Sequence, residues 1–590
     1  MKKRSKRLAE LKNSRTFAPL FKKTTTDKPL GEMVEWSITA VLKTAVLRGT
    51  GGSNPSLSAI HAENQHNAKQ TPSFTPKNAK LGVFIFYNLW IVLRIISNNR
   101  GFLYICTRLS TDKTMKKRFA TLFAAVACVY AVQAEKPMSG VTFDASKGVA
   151  GSVTMPNGQV VNYTAYTDLY YVANVEDSTY QRMNLFVPEG ANQRTPIFLR
   201  NYVGGYMAAR AKGIDVGDAS GRALAEGYVV AIPGARGRNS QVTDSEGNTL
   251  FTGRAPKGLL DLKAAVRYLR HFDKEMPGDA ERIISDGTSA GGAMSSLLGA
   301  TGNHPLYEPW LREMGACPER DDVFAAVCYC PIIDLEHADM AYEWLYGCTN
   351  GVTRPLTEEQ AAVSAELAAL YPDYLNGLCL RKPDGEPLTA DNCRDYLKRL
   401  LIESAQHAKD AGAEITDSLG FVFSRGNWSG RQGEYIVDLD LERYLNYVVT
   451  TIRLKTPAAF DSEGVAGGRP SGENEEFGDE RGNTAHFTDY SLRKATGQPD
   501  ARIDERLNRL VYLMNPMNFI ADPQATKAPH WYIRHGARDR DTSFPVPVCL
   551  ALKLQNNGQQ VDFKLPWNRP HAGDYALAEL FAWMKTICQR

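Results

Sequence analysis

The sequence predicts an α/β fold: a doubly wound, mainly parallel sheet interrupted by one large insertion. Three observations predict it. Short apolar runs at residues 195–201, 227–233 and 323–331 alternate with helical periodicities, the pattern of strand–helix–strand units. Glycine-rich turns follow several of these runs, at the strand ends where such a sheet gathers its functional groups. From residue 332 to 528 the alternation gives way to helical, polar sequence, which reads as an insertion rather than as further sheet.

In chain order, residues 159–163, 169–172 and 183–188 read as strands of β-hairpins. The strand at 195–201 runs into Tyr202-Val203-Gly204-Gly205-Tyr206, and that at 227–233 into Gly234-Ala235-Arg236-Gly237-Arg238. Leu259, Leu262, Val266 and Leu269 mark an amphipathic helix leading to Ile283-Ile284. Next comes Gly287-Thr288-Ser289-Ala290-Gly291-Gly292, then the apolar helical run from Ala293. Strand, sharp Gly-x-Ser-x-Gly turn and helix make the nucleophile elbow of α/β-hydrolases. The glycines allow close backbone approach and dihedrals that a Cβ would strain. Alone the motif is weak.

Two later segments strengthen it. The strand at 530–535 ends in Gly536-Ala537-Arg538-Asp539; a helix at 544–556 follows; the strand at 561–567 then leads to His571. Ser, Asp and His in this order, each after a strand, follow the chain order of the α/β-hydrolase triad. A closing amphipathic helix carries Leu577, Leu580, Phe581 and Met584. Ser289 and Asp539 are 250 residues apart, Asp539 and His571 only 32. The excess defines a lid over residues 332–528, with helices at 358–370 and 395–411 and a Gly- and Glu-rich loop at 462–483. Residues 135–331 and 529–590 form the hydrolase core.

The front of the chain has a different character. Met115-Lys116-Lys117-Arg118, the apolar run 119–132 and the small residues to Ala134 read as a signal peptide at 115–134. Residues 1–114 are expected to be an extension arising from a start set too early, with Met115 the true start; Gly52-Ser53-Asn54-Pro55 can be encoded by the T-arm sequence of a transfer-RNA gene. The rival reading makes residues 81–97 a short membrane span, interrupted by Asn88 and Arg94. Residues 135–590 hold 47 Lys+Arg against 59 Asp+Glu, so the chain's net charge of +4 belongs to its front. An acidic protein with no membrane span argues against nucleic-acid binding and, with the leader, for a periplasmic or extracellular location. Eight cysteines remain; Cys317 with Cys328 or Cys379 with Cys393 are the pairs to consider, while Cys328 and Cys330 read as core. No metal-ligand spacing is present, and no cofactor is expected. Oligomeric state is not legible.

The chemistry assigns itself by role. Ser289 is the nucleophile, His571 its base, and Asp539 the group that fixes the His571 tautomer. The oxyanion hole draws on the Ala290 N–H and the Gly204-Gly205 loop. Ser285, Ser295 and Ser296 read as structural, His535 as a satisfied core histidine, His337 and His486 as local hydrogen-bonders, and Asp541 as an N-cap for the following helix. Asp574 is the alternative acid.

These segments carry a family resemblance. Val203 to Met207, the elbow, Ala485-His486-Phe487-Thr488-Asp489-Tyr490, the block 528–542 and His571-Ala572-Gly573-Asp574-Tyr575 together resemble bacterial tannases (tannin acyl hydrolases). The resemblance covers most of residues 140–590. It implies a lidded serine esterase that cleaves galloyl esters, with an acid two residues beyond the catalytic Asp and a lid Lys and Glu binding the phenolic hydroxyls. Asp541 takes the first role, Glu473 the Glu and Lys455 the Lys; Glu475 or Glu476 stand as alternatives to Glu473. Carboxylates accept well from phenols. The competing readings are a feruloyl or carbohydrate esterase, a prolyl-type peptidase, and a binding protein on an inactive hydrolase scaffold. The expected partner is a small aromatic ester.

Overall fold

The structure, a computed structural model, describes residues 141–428 and 431–589. The expectations for residues 1–114 and 115–134, including the rival span, lie outside the described residues.

Nine strands form the main sheet. β1 (Val149–Thr154), β2 (Val160–Tyr170) and β3 (Arg182–Pro188) form an antiparallel edge, and β3 runs antiparallel to β5 (Val229–Pro233). From there β5, β4 (Pro196–Arg200), β8 (Asp279–Thr288), β9 (Ala325–Tyr329), β12 (His530–Arg534) and β13 (Gln560–Lys564) are parallel neighbours in that order. β6 (Gln241–Thr243) and β7 (Thr249–Phe251) pair as a small separate hairpin. The segments read as separate strands at 159–163 and 169–172 are one long β2, irregular between Tyr166 and Leu169, and β1 was not anticipated.

Side chains along the parallel strands alternate between two cores. Ile197 and Leu199, Val229 and Ala231, and Trp531 and Ile533 face one; Phe198, Val230 and Tyr532 face the other. Both faces are thus covered, and for that reason these strands are continuous apolar runs rather than alternating ones. α1 (Ala219–Ala225) and the final helix α10 (Leu577–Cys588) cover one face; α2 (Lys257–His271), α3 (Ala290–Ala300) and α9 (Pro545–Asn556) cover the other.

β9 and β12 are adjacent in the sheet although the lid separates them in sequence. The lid contributes α4 (Leu335–Tyr346), α5 (Glu358–Gly377), α6 (Ala390–Asp410), α7 (Leu441–Thr451) and the one-turn α8 (Gly472–Glu476). Capping boxes start α5 at Thr357 and α6 at Thr389. Leu375, Leu397, Leu401 and Leu445 join the core that covers α2 and α3, so the lid packs as an extension of that layer. It also holds a ribbon, β10 (Phe421–Trp428) with β11 (Arg431–Leu439), where only helix was expected. None of the eight described cysteines is disulfide-bonded: Cys317 and Cys328 are separately buried, and Cys379 is exposed while Cys393 is buried. No helix among the described residues is long and apolar enough to cross a membrane.

One buried ion cluster ties the sheet to the end of the chain. Arg200, at the end of β4, pairs with Asp286 in β8 and reaches Asp574 at 2.6 Å. Asp574 also accepts from the Ala219 N–H, 3.2 Å away, at the start of α1. Burial pushes the Asp286 carboxyl up to about 6 although Arg200 opposes the shift. Arg200→Met strands the buried Asp286, and such losses cost about 3–5 kcal/mol; urea unfolding should show it, and an unchanged midpoint would refute it.

Candidate active site

Ser289 joins β8 to α3 with φ 63° and ψ −124°, a strained conformation for a residue with a Cβ. Three backbone hydrogen bonds hold it there: Ser289 N–H to Tyr329 O (2.9 Å), Ala293 N–H to Ser289 O (3.0 Å) and Ile332 N–H to Ser289 O (3.3 Å). The elbow glycines serve close approach alone, since the strain falls on Ser289. A Cβ on Gly287 would lie 2.2 Å from Gly291 O, and one on Gly291 would lie 2.6 Å from Val203 O. Gly291 therefore lets the 201–205 loop lie against the start of α3. Ser285 and Ser295 bond each other at 2.8 Å and Ser296 bonds Gly292 O at 2.8 Å, all buried.

That loop turns sharply. Gly205 and Tyr206 have φ of 55° and 56°, and Met207 N–H donates to Gly204 O at 3.0 Å. Tyr206 is buried with its hydroxyl donating to Ile332 O at 2.8 Å, which fastens the loop to the chain beyond β9. Ala290 and the Gly204-Gly205 turn thus lie on two segments packed against one another beside Ser289.

Asp539 is fully buried in the turn after β12. Its N–H donates to Gly536 O at 2.8 Å, and lid tyrosines brace the turn: Tyr444 donates to Ala537 O (2.6 Å) and Tyr346 to Asp539 O (3.1 Å). Arg538 N–H donates to Arg569 O at 2.9 Å, bringing up the loop after β13. There His571 Nδ1 lies 2.8 Å from Asp539 Oδ2. Gly573, two residues on, fits where a Cβ would stand 1.9 Å from Thr288 Oγ1, so the His571 loop closes against the residue before Ser289. Asp574 does not face His571, being committed to Arg200.

Burial would raise the Asp539 carboxyl, but the imidazoles of His535 and His571 and the His571 hydrogen bond hold it down at about 2. Burial works to lower the His571 pKa; the hydrogen bond and charge of Asp539, with Asp541, outweigh it, and Lys455 opposes them. The net position is above the ordinary imidazole value. His535 is buried, as expected, but among the described residues neither ring nitrogen has a hydrogen-bond partner, and Nδ1 is 3.4 Å from Asp539 Oδ2. Burial depresses its pKa.

Asp541 is not the N-cap; Phe544 holds that position of α9. The Asp541 N–H donates to Asp539 Oδ1 at 2.8 Å, its Oδ1 takes 2.5 Å from Arg540, and its Oδ2 lies 3.7 Å from His571 Nδ1. Lys455 is half-buried with Nζ 3.9 Å above the Phe460 ring, and Arg354 donates to its carbonyl at 3.1 Å. On α8 the three acids separate. Glu475 pairs with Arg238, and Glu476 is buried with its carboxyl pushed well up. Glu473 makes no ion pair among the described residues, and its charge acts on Tyr206 beside the glycine turn. The presumed loop at 462–483 is thus an ordered segment around α8, tied by Asn474 to Asp461 at 2.8 Å. His337 bonds Asp334 and His486 bonds Asp461, each at 2.7 Å.

Comparison with solved structures places this arrangement. The tannase of Fusobacterium nucleatum is 38% identical over 76% of this chain and 99% of its own, with a TM-score of 0.67. The chain belongs to the tannase family. A tannin acyl hydrolase from Lactobacillus plantarum gives the same identity and coverage at a TM-score of 0.68, and so does a tannin acyl hydrolase solved with ethyl gallate. A family model described as BD-FAE, an esterase-type domain, matches residues 183–357. No curated protein sequence matches. The chain is accordingly a carboxylic ester hydrolase with an α/β-hydrolase fold and a cap, as tannases are.

Some side chains around the candidate site have surroundings that the sequence does not show. Cys330 is buried with φ 46°, donates to Ala572 O at 3.3 Å, and lies with His535 and Asp539 in a group whose potential ligand atoms are within 4.8 Å of one another. Asp539, Asp541 and His571 form a second such group, and Asp334, Glu336 and His337 a third. Tyr346, Tyr444 and Arg238 support the site's turns from 33 to 193 residues away in sequence, so nothing local marks them.

Proposed function

We propose that this chain hydrolyses galloyl esters through a Ser289 acyl-enzyme. The carrying observation is that Asp541 is held by its own N–H to Asp539 and sets a carboxylate 3.7 Å from His571 Nδ1, so an acid able to accept from a phenol stands beside the proposed triad. A related tannin acyl hydrolase binds ethyl gallate, which supports the reading.

In the proposed reaction, His571 takes the Ser289 proton as Oγ attacks the ester carbonyl. The N–H groups of Ala290 and of the Gly204-Gly205 turn receive the oxyanion. His571 then protonates the departing alcohol, and water, activated by the same imidazole, releases gallic acid and returns the proton to Ser289. Asp541, Glu473 and Lys455 surround the phenolic hydroxyls. The 115–134 leader pattern supports an exported enzyme.

A site built to bond hydroxyls leaves its carboxylates unpaired when they are missing, and such sites discriminate by about 10⁴-fold or more. Methyl gallate should therefore exceed methyl benzoate in kcat/KM by about that factor, with methyl ferulate between them. Equal turnover of all three would overturn the galloyl reading and leave a broad esterase; preference for ferulate would favour the feruloyl alternative.

A further inference from the structure

The segment between β5 and α2 touches both halves of the proposed site. Arg238 donates from Nε to Gly205 O at 2.7 Å and from its backbone N–H to Tyr206 O at 2.8 Å. Its Nη1 pairs with the Glu475 carboxylate on α8. Gly472 gives it room, because a Cβ there would stand 3.1 Å from Nε and 3.2 Å from Cζ. Around this contact, Arg254 donates to Glu475 O and to Asp479 O (3.2 Å), Ala255 N–H to Glu476 O (2.9 Å), and Phe251 N–H to Glu480 O (2.7 Å). The α8 segment is therefore docked on the core, with the Arg238 guanidinium as its link to the glycine turn.

The two ends of that link matter for different reasons. Gly205 and Tyr206 are consecutive positive-φ residues; the buried Tyr206 side chain anchors one end of the peptide between them, but Gly205 is exposed with nothing within 4 Å of where a Cβ would stand, so packing on its side does not orient the carbonyl. A hydrogen bond to Gly205 O does. Glu473 lies two residues before Glu475 in the same helical turn, so whatever fixes Glu475 sets where Glu473 sits. The planar fork of arginine can serve both ends at once, which a lysine ammonium on a flexible stem does poorly.

We propose that Arg238 is a positioning residue that holds the oxyanion turn and the phenol-binding acid of the lid in one register, so that its loss impairs turnover and gallate binding together. The proposal rests on the roles given above to Gly204, Gly205 and Glu473. The ion pair is partly exposed, with 19% of the Arg238 and 38% of the Glu475 side chain accessible. Such pairs add little to stability, so the effect falls on geometry, where small displacements cost large factors in rate.

The test uses Arg238→Met, Arg238→Lys, Glu475→Gln and the Arg238→Met/Glu475→Gln double variant, with methyl gallate and 4-nitrophenyl acetate, whose acyl group has no phenol. Arg238→Met should lower kcat about tenfold on both esters and raise KM about tenfold for methyl gallate only. Glu475→Gln should raise only the gallate KM, and the double variant should be no worse than Arg238→Met, because residues acting as a unit are not additive. Arg238→Lys should keep the gallate KM and lose kcat, which tests the proposal independently if the Met variant misfolds. Melting temperatures should move by only a few degrees, roughly the shift of a lost surface pair. A kcat within twofold of wild type on both esters for Arg238→Met and Arg238→Lys, or singles that multiply in the double, would overturn it. If the wild type cleaves the acetate but not the gallate, the galloyl reading fails and the kcat comparison on acetate still judges Arg238.

Discussion

Ser289→Ala is expected to lower kcat on methyl gallate by about 10⁴-fold or more, as removal of a triad nucleophile does in serine hydrolases, without loss of stability. The structure separates the two outcomes. The work Ser289 does for the fold is done by its backbone, through bonds to Tyr329, Ile332 and Ala293, and alanine keeps them. Its side chain, half-exposed at the elbow, enters no hydrogen bond among the described residues. Ser289→Gly extends the test. Glycine relieves the φ 63° strain, worth about 1–3 kcal/mol for such backbone conformations, although its extra freedom in the unfolded chain returns part of this. The Gly variant should therefore be as inactive as the Ala variant and unfold at equal or higher urea concentration. Both should fail to react with a fluorophosphonate. Retention of more than about one percent of the activity by Ser289→Ala would remove serine from the mechanism, since such residues contribute far more than a hundredfold.

The parts of this site that the sequence disclosed share one property: each lies in a loop that follows a strand readable from the sequence. Ser289, Asp539 and His571 stand within a few residues of β8, β12 and β13, so a local pattern sufficed. Where the physics is non-local, the reading stopped short. Ser289 is held in its strained conformation by the carbonyl of Tyr329 and the N–H of Ile332, which lie at the end of the next strand and just beyond it rather than beside Ser289 in sequence. Asp574 looked available as an acid because its partner, Arg200, lies 374 residues away. Asp541 looked like a helix cap because acids commonly are; α9 instead starts at Pro545, and the Asp541 N–H serves Asp539. The β10–β11 ribbon escaped because its residues, Phe421, Ser424, Arg425 and Gly426 among them, mix exposed and buried positions around a bulge and leave no clean alternation. In the 462–483 segment, charge and glycine suggested solvated loop; buried Asn474 and Glu476 show that polar residues there are structural.

Asp539→Asn carries the second large expectation: a fall in kcat of about 10³- to 10⁴-fold, with the acid limb of kcat/KM displaced to lower pH. In the proposed mechanism His571 must be neutral to accept the Ser289 proton, so activity should fall as pH drops through its pKa. Burial pulls that pKa down, but the Asp539 hydrogen bond and charge and the Asp541 charge push harder, so the limb should lie above 6.5, the ordinary imidazole value. Asp539, held at about 2, stays ionised throughout and adds no limb of its own. Removing its charge takes away the largest raising influence, and the asparagine amide, presenting N–H as readily as C=O, no longer selects the tautomer with Nδ1 protonated. Two milder variants fix the sign. Asp541→Asn removes a raising charge and should move the limb down; Lys455→Met removes a lowering one and should move it up. Opposite displacements from an acid and a base would show that both charges face the same imidazole. A common displacement, or a wild-type limb below the ordinary imidazole value, would mean that burial rather than the two carboxylates governs His571.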